Sequence, residues 1–440
     1  MTIAMNGKAQ QSENAPDLEQ RVIRRISRRL LPFMFILYVI AYLDRVNVGF
    51  AALQMNADLN FSAAVYGLGS GIFFIGYFLF EIPSNLILDR IGARIWIARI
   101  MITWGLVASA TAFIQGPKSF YLIRFLLGLA EAGFFPGMIL YLTYWFPEKY
   151  RARTVALFMT ATAVSGLISG PVSGILLTMH GIGGLSGWQW LFILEGLPAV
   201  VLGIVVFFCM TDRPEKARWL SEEEKNWLTT CLQSEKYKRE RYGIKSFLRT
   251  MGSGRVWLLC LIYFALVIGL YGVGLWMPLI IKEVSGLSDF MVGMVSALPY
   301  LLAAIGMTLI GMHSDRTGER RIHTAASIFI AAVGLVLTAY ADNPVLELAC
   351  LSIIAVGIWG ALGPFWALST SFLSGTAASG GIALINSIGN LGGFVGPYLV
   401  GVIKDFTGAF RYGLIVLAII LLFGCLLTLS MKNNYIEDNK

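Results

Sequence analysis

Charged side chains are scarce in this chain. Lys and Arg (34) with Asp and Glu (26) make up 14% of 440 residues, against 57% hydrophobic residues and a mean hydropathy of +0.70. Soluble domains carry about 25% charged residues, so this composition excludes a soluble enzyme core and indicates a polytopic membrane protein. Cysteine is sparse too: Cys209, Cys231, Cys260, Cys350 and Cys425 stand singly, without C-x-x-C or other metal-type spacing, and read as small packing residues. Histidine occurs at His180, His313 and His323, all in expected loops, which leaves none for a buried proton relay. Nucleophile motifs, metal clusters and nucleotide loops are missing, so no enzyme activity, cofactor or metal is expected. The net charge of +8 does not signal nucleic acid, because the basic residues sit in short loops between apolar runs, not in a patch interleaved with aromatics. The arginine cluster near the N-terminus precedes about two dozen mostly apolar residues with no small-residue cleavage site, which predicts a retained first span rather than a signal peptide.

What is present is a series of apolar runs near the ~20 residues that a bilayer requires. They fall at 30–53, 66–88, 95–114, 119–144, 153–178, 189–210, 256–281, 290–312, 322–340, 345–372, 378–403 and 409–430, and predict an all-α membrane protein of twelve transmembrane helices. Loops 89–94, 147–153, 211–255 and 316–321 are rich in Arg and Lys, whereas 54–64, 179–188 and 341–344 have none. That asymmetry places both termini in the cytoplasm. The expected organisation is a cytoplasmic tail at 1–29, a six-helix bundle at 30–210, a cytoplasmic linker at 211–255, a second bundle at 256–430 and a short tail at 431–440. Within the linker, Ser221 and Glu224 form a capping-box pattern ahead of a mixed-charge amphipathic run.

An internal repeat supports the six-and-six division. Asp89-Arg90-Ile91-Gly92-Ala93-Arg94 follows span 2, and Asp315-Arg316-Thr317-Gly318-Glu319-Arg320 follows span 8, at an offset of 226. Gly166, Gly170, Pro171 and Gly174 in span 5 answer to Gly392, Gly396 and Pro397 in span 11 at the same offset. Copies six helices apart share one topology, giving two parallel pseudo-repeats related by an axis along the membrane normal, with the glycines allowing close helix packing. Asp89, Arg90, Arg94, Asp315, Arg316 and Arg320 form a candidate cytoplasmic gate that latches the halves; orientation charge alone is the alternative.

The candidate site begins at RFLLGLAEAGFFPG, Arg124 to Gly137, which puts two charges inside an apolar run. Arg124 and Glu131 are seven residues apart, on one helix face and roughly 10 Å apart along its axis. A charge at mid-bilayer costs at least about 2.5 kcal/mol, and such residues usually mark an ion or substrate path. Asp44 and Arg45 lie within span 1 and point about 100° apart, so that one can face the partner helix and the other the cavity. Burial raises a carboxylate's pKa and a neighbouring guanidinium lowers it; Asp44 and Glu131 are therefore the candidate proton-coupling groups. Arg45 and Arg124 are candidate anion ligands, because a guanidinium binds carboxylates bidentately and stays charged. An incoming carboxylate that takes one of these arginines would loosen its hold on Asp44 or Glu131 and favour protonation. Permanent ion pairs that merely position spans 1 and 4 are the alternative. Glu81 fits the cytoplasmic charge network, and Glu195, near the outer end of span 6, fits a structural role.

The C-terminal half has no deep acid or arginine. Its candidates for reading the body of the substrate are Tyr271, Trp366, Ser369, Asn386 and Asn390, with Tyr42 and Tyr77 on the N-terminal side. Asn386 and Asn390 are four apart and share a helix face. Hydrogen bonds between membrane helices and interfacial aromatic belts are the competing explanations.

These residues resemble the major facilitator superfamily, whose G-x-x-x-D-R-x-G-x-R-R signature is complete at Gly311 to Arg321; the first copy departs from it at Asn85 and Ile95. YLDRVNVGF (Tyr42 to Phe50), EIPSNLILDRIGAR (Glu81 to Arg94), RFLLGLAEAGFFPG and YLTYWFPEKYRAR (Tyr141 to Arg153) further resemble the anion:cation symporter family, including its bacterial 4-hydroxyphenylacetate, tartrate and rhamnonate permeases. The similarity runs from about Arg21 through nearly the whole chain. The resemblance implies a major facilitator fold and uptake of a small organic carboxylate with protons, with coupling and substrate groups at Asp44, Arg45, Arg124 and Glu131. It also places the protein in a bacterial inner membrane, as a monomer in contact with membrane lipid. A proton-coupled exporter is the first rival, on an incomplete antiporter motif with Leu157 and Ile175 in two glycine positions. A nontransporting membrane sensor is the second.

Overall fold

The computed structural model describes residues 15–240, 252–372 and 376–431, and regular structure among them is helical. Twelve spans are built from α1 (Ala15–Asp58), α2 (Ala63–Ile91), α3 (Ala93–Ala110), α4 (Pro117–Glu131) with α5 (Phe134–Trp145), α6 (Glu148–Leu177), α7 (Gly187–Cys209), α9 (Gly254–Gly274) with α10 (Met277–Ser285), α11 (Asp289–Thr317), α12 (Arg321–Ala339), α13 (Pro344–Phe372), α14 (Thr376–Asn390) with α15 (Gly392–Thr407), and α16 (Phe410–Ser430). The linker supplies α8 (Glu222–Glu240). Eleven of the spans are long and apolar enough to cross a membrane as single stretches. The remaining one, α14 with α15, is broken at Leu391 into pieces of 15 and 16 residues. Of the tails expected at 1–29 and 431–440, residues 1–14 and 432–440 lie outside the described residues, as does the linker segment 241–251. α1 starts earlier than the apolar run does: Val22, Ile26 and Leu30 form a buried stripe that carries the helix back through the arginine cluster to Ala15.

The packing repeats as the sequence does. In the N-terminal half, α3 packs on α7, α2 on α4, and α1 on both α6 and α7. In the C-terminal half, α12 packs on α16, α11 on α13, and α9 on both α15 and α16. These are the same relations six spans later. The repeated Asp-Arg-x-Gly turns have a backbone reason for their glycine: Gly92 lies at φ +105° and Gly318 at φ +70°, where a side chain would be strained.

The halves meet through α2 with α15 and through α6 with α11, the contacts concentrating on the face opposite the termini, here called the far face. A Cβ at Gly170 would stand 2.3 Å from the Gly293 carbonyl oxygen, and one at Gly67 2.5 Å from that of Pro397. Small residues thus let the two backbones touch. Polar contacts seal the same face. Asp405 accepts from the Ala63 and Ala64 N–H groups at the start of α2 (2.9 and 2.8 Å), the Tyr66 hydroxyl donates to the Leu275 carbonyl (2.7 Å), and the Gln54 amide donates to Asp289 (2.9 Å). A carboxylate at a helix N-terminus both satisfies orphan donors and meets the positive end of the dipole.

On the terminal face the linker docks on the N-terminal half. The capping box forms: Ser221 N–H donates to Glu224 (2.8 Å), and Glu224 N–H donates to Ser221 Oγ (3.2 Å). Arg25 reaches the same carboxylate at 2.9 Å. Burial pushes the Glu224 carboxyl up, but the Ser221 backbone and the Arg25 guanidinium outweigh it and hold the group below the usual carboxylate range. A carboxyl depressed in the folded state stabilises above its unfolded pKa, and that stabilisation is lost as pH falls through the folded one. Glu224→Gln keeps the capping geometry but loses the charge, and should loosen α8 by a few tenths to about 1 kcal/mol at pH 7. Hydrogen–deuterium exchange over residues 222–235 should rise in the variant, and in the wild type only on acidification below the usual carboxylate range.

Candidate functional site

α1 and α4 carry Asp44, Arg45, Arg124 and Glu131, and Arg45 reaches from this cluster to the C-terminal half. Arg45 donates through Nη2 to Glu131 Oε1 and through Nη1 to the Tyr271 hydroxyl at 3.4 Å. Arg45 and Tyr271 are 226 residues apart, the repeat offset, so the pseudo-twofold axis passes through this contact. Arg124 is buried to 1% exposure, with Nε and Nη1 lacking hydrogen-bond partners. Its guanidinium lies 5.2 Å from the Phe73 ring centre; that of Arg45 lies 5.6 Å from the same ring and 5.3 Å from Tyr77. Asp44 is held by neutral donors, the Trp104 indole N–H and the Asn47 amide (2.9 Å). Two guanidiniums and two carboxylates cancel formally. Both arginines nevertheless keep buried donors free, Nε and Nη1 on Arg124 and Nε on Arg45, a costly state without a further partner.

Span 4 is not the unbroken helix over 119–144 that its apolarity predicts. α4 stops at Glu131, Ala132 leaves helical geometry (φ −53°, ψ 132°), and Gly133 turns at φ +86°. A Cβ on Gly133 would fall 2.2 Å from Ser84 Oγ, which itself accepts from the Trp96 indole at 2.9 Å. Close approach to α2 thus sets the break, and leaves Glu131 at a helix end.

The remaining candidates divide. Tyr42, Tyr77 and Tyr271 are buried around Arg45, with Tyr271 against Phe74 (ring centres 4.4 Å). Half-buried Trp366 packs on Tyr263 at 4.9 Å. Ser369 is turned to its own helix, donating to the Phe365 carbonyl at 2.9 Å. Asn386 donates to Glu81 at 3.1 Å, as does Ser387, while Asn390 lies half-buried one turn along. Glu81 is therefore not part of a surface charge network: it is buried, and it joins α2 to α14 across the two halves. The signal was its spacing, four residues after Tyr77 and so on the same helix face.

At the repeated turns each half pairs within itself or with the linker. Asp89 accepts from the Tyr144 hydroxyl (2.7 Å) and lies 3.7 Å from Arg213; Arg94 N–H donates to Asp212 (2.9 Å). Arg320 pairs with Asp315 at 2.5 Å, while Arg90 and Arg316 are exposed. His313 and His323, expected in loops, sit on α11 and α12, 2.7 Å apart and hydrogen-bonded. The helices run farther toward the terminal face than the apolar runs do.

Comparison with known proteins bears on this arrangement. The Major Facilitator Superfamily profile matches residues 34–397. A protein of Agrobacterium vitis assigned as a tartrate transporter is 54% identical over 418 residues, 95% of this chain and 93% of that protein. A quinolone resistance transporter of Acinetobacter baumannii is 45% identical over 412 residues, 94% and 95% of the two chains. Among solved structures, a bacterial homologue of the human lysosomal transporter Spinster, inward-facing and unoccupied, aligns with a TM-score of 0.76 at 17% identity, covering 90% of this chain and 95% of that one.

Proposed function

Because this chain belongs to the Major Facilitator Superfamily of membrane transporters, we propose that it imports an organic anion, with tartrate the first candidate, together with protons across a bacterial inner membrane. The observation that carries this reading is Arg124, buried beside the Arg45–Glu131 pair with donors left over. The substrate's carboxylate takes Arg124 and competes for Arg45. Glu131 then loses its cation and takes a proton, which offsets one of the anion's carboxylate charges. Asp44, held by neutral donors, is the second proton carrier. Tyr42, Tyr77, Tyr271, Trp366 and Asn390 line the same region for the substrate body, and Asn386 reaches it when released from Glu81.

The terminal face, with its arginine-rich loops, is the cytoplasmic one, and both bundles, as a monomer, rock about the midplane site. With the far face sealed, the Asp89 and Asp315 turns are withdrawn onto their own sides; they latch across the halves when the cytoplasmic face closes.

The test uses protein in liposomes holding a pH-sensitive dye, with tartrate added outside. Lumen acidification is expected with the wild type. Glu131→Gln should lose proton-driven accumulation and retain tartrate counterflow; unchanged accumulation would sink the coupling role. The relative named as a quinolone resistance transporter supports a second reading, proton-coupled export. Silence toward tartrate, together with lumen alkalinisation when a quinolone is added outside, would favour it.

A further inference from the structure

We infer that Glu195 is a proton-relay residue serving Asp44 from the far face, a role that rests on the proton-coupled reading above. Depth orders the groups. α7 begins on the far face at Gly187, so Glu195 lies about 12 Å along its axis, whereas Asp44 lies about 21 Å from the far end of α1 at Asp58. Asn47 is one turn from Asp44 in that same direction.

Hydrogen bonds fix both ends of a line of buried polar groups. Asn47, fully buried, donates its amide to Asp44 Oδ1 at 2.9 Å, and Glu195 Oε1 accepts from Ser173 Oγ at 2.9 Å. The Asn47 side chain lies beside the Glu195 carboxyl, with Asp44 on its other side. Two buried acceptors on this line have no donor, Asn47 Oδ1 and Glu195 Oε2. An ionised Glu195 leaves both unsatisfied, a costly state for buried acceptors. A proton on Glu195 Oε2 turns one of these two acceptors into a donor. No arginine or lysine forms an ion pair with Glu195 among the described residues, unlike Glu131 with Arg45. A structural carboxylate on this site would be better replaced by an amide; a carboxylate that must gain and lose a proton cannot be.

The transfer is simple in its balance. One proton leaves the Glu195 carboxyl and arrives on the Asp44 carboxylate, and Glu195 stays ionised until refilled from the far side. Asn47 holds the two carboxyls in register, and Ser173 fixes the Glu195 rotamer.

Glu195→Gln tests this, since glutamine offers Asn47 a permanent donor and keeps the volume. In liposomes loaded with radiolabelled tartrate, counterflow at equal pH should stay within twofold of wild type. Uptake driven by a pH gradient should fall tenfold or more and lose its rise as the far-side pH is lowered. Ser173→Ala should shift that pH profile while sparing counterflow. Proton-driven uptake and pH profile like those of the wild type would overturn the relay, as would loss of counterflow in Glu195→Gln, which marks a structural residue. Wild-type accumulation without lumen acidification would defeat the symport reading itself, and the relay with it.

Discussion

Arg124→Ala should cut tartrate uptake at least about thirtyfold and leave the unliganded protein about as stable as before. The two halves of that result come from one observation, the buried guanidinium with unpartnered Nε and Nη1. If Arg124 is the anion's ligand, its loss buries a carboxylate with no cation, which costs 2 to 5 kcal/mol or roughly 30-fold to several thousandfold in affinity. If Arg124 were a structural ion-pair partner, removal would instead destabilise the fold by about 3 to 5 kcal/mol. Thermal unfolding in detergent without substrate separates these outcomes. Arg124→Lys should recover little uptake, since an ammonium lacks the planar fork that binds a carboxylate at two points. Uptake within threefold of wild type in Arg124→Ala would remove this residue from the site.

Gly170→Val should trap the transporter with its far face open. A Cβ at Gly170 meets the Gly293 carbonyl at 2.3 Å, and one at Gly293 meets the Gly170 carbonyl at 2.4 Å. The obstacle is backbone on both sides, so no rotamer change relieves it, and α6 cannot close on α11. Transport should drop at least fiftyfold. A cysteine at Gln54, whose amide bridges Leu177 and Asp289 in the sealed far face, should gain reactivity toward a membrane-impermeant maleimide added on the far side. Unchanged labelling with unchanged transport would mean that this contact is not the far-face seal.

Periodicity and repetition made most of the architecture legible. Twelve apolar runs, the Asp-Arg-x-Gly turns and the 226-residue offset depend on local pattern, and the packing relations repeat accordingly. The central charges were legible for a related reason: Arg124 and Glu131 cannot be hidden in an apolar run. What escaped was anything set by partners distant in the chain. Glu81 reads as an end-of-helix charge until α14 brings Asn386 and Ser387 to it, 305 and 306 residues away. Ser369 escaped for a local reason, its hydroxyl bonding the carbonyl four residues back in its own helix. The break after Glu131 is decided by Ser84 on α2, which the apolar pattern of span 4 does not contain. His313 and His323 were lost to helix ends, which polarity marks poorly once a helix leaves the bilayer.

The contact between Arg45 and Tyr271 sits on the pseudo-twofold axis. In an ancestor made of two identical halves, whatever stood at this position would have faced a copy of itself. Arginine could not have occupied both places without setting two like charges against each other in a buried site. Arginine in one half and tyrosine in the other avoid that collision, and leave a single cation at the centre of the contact.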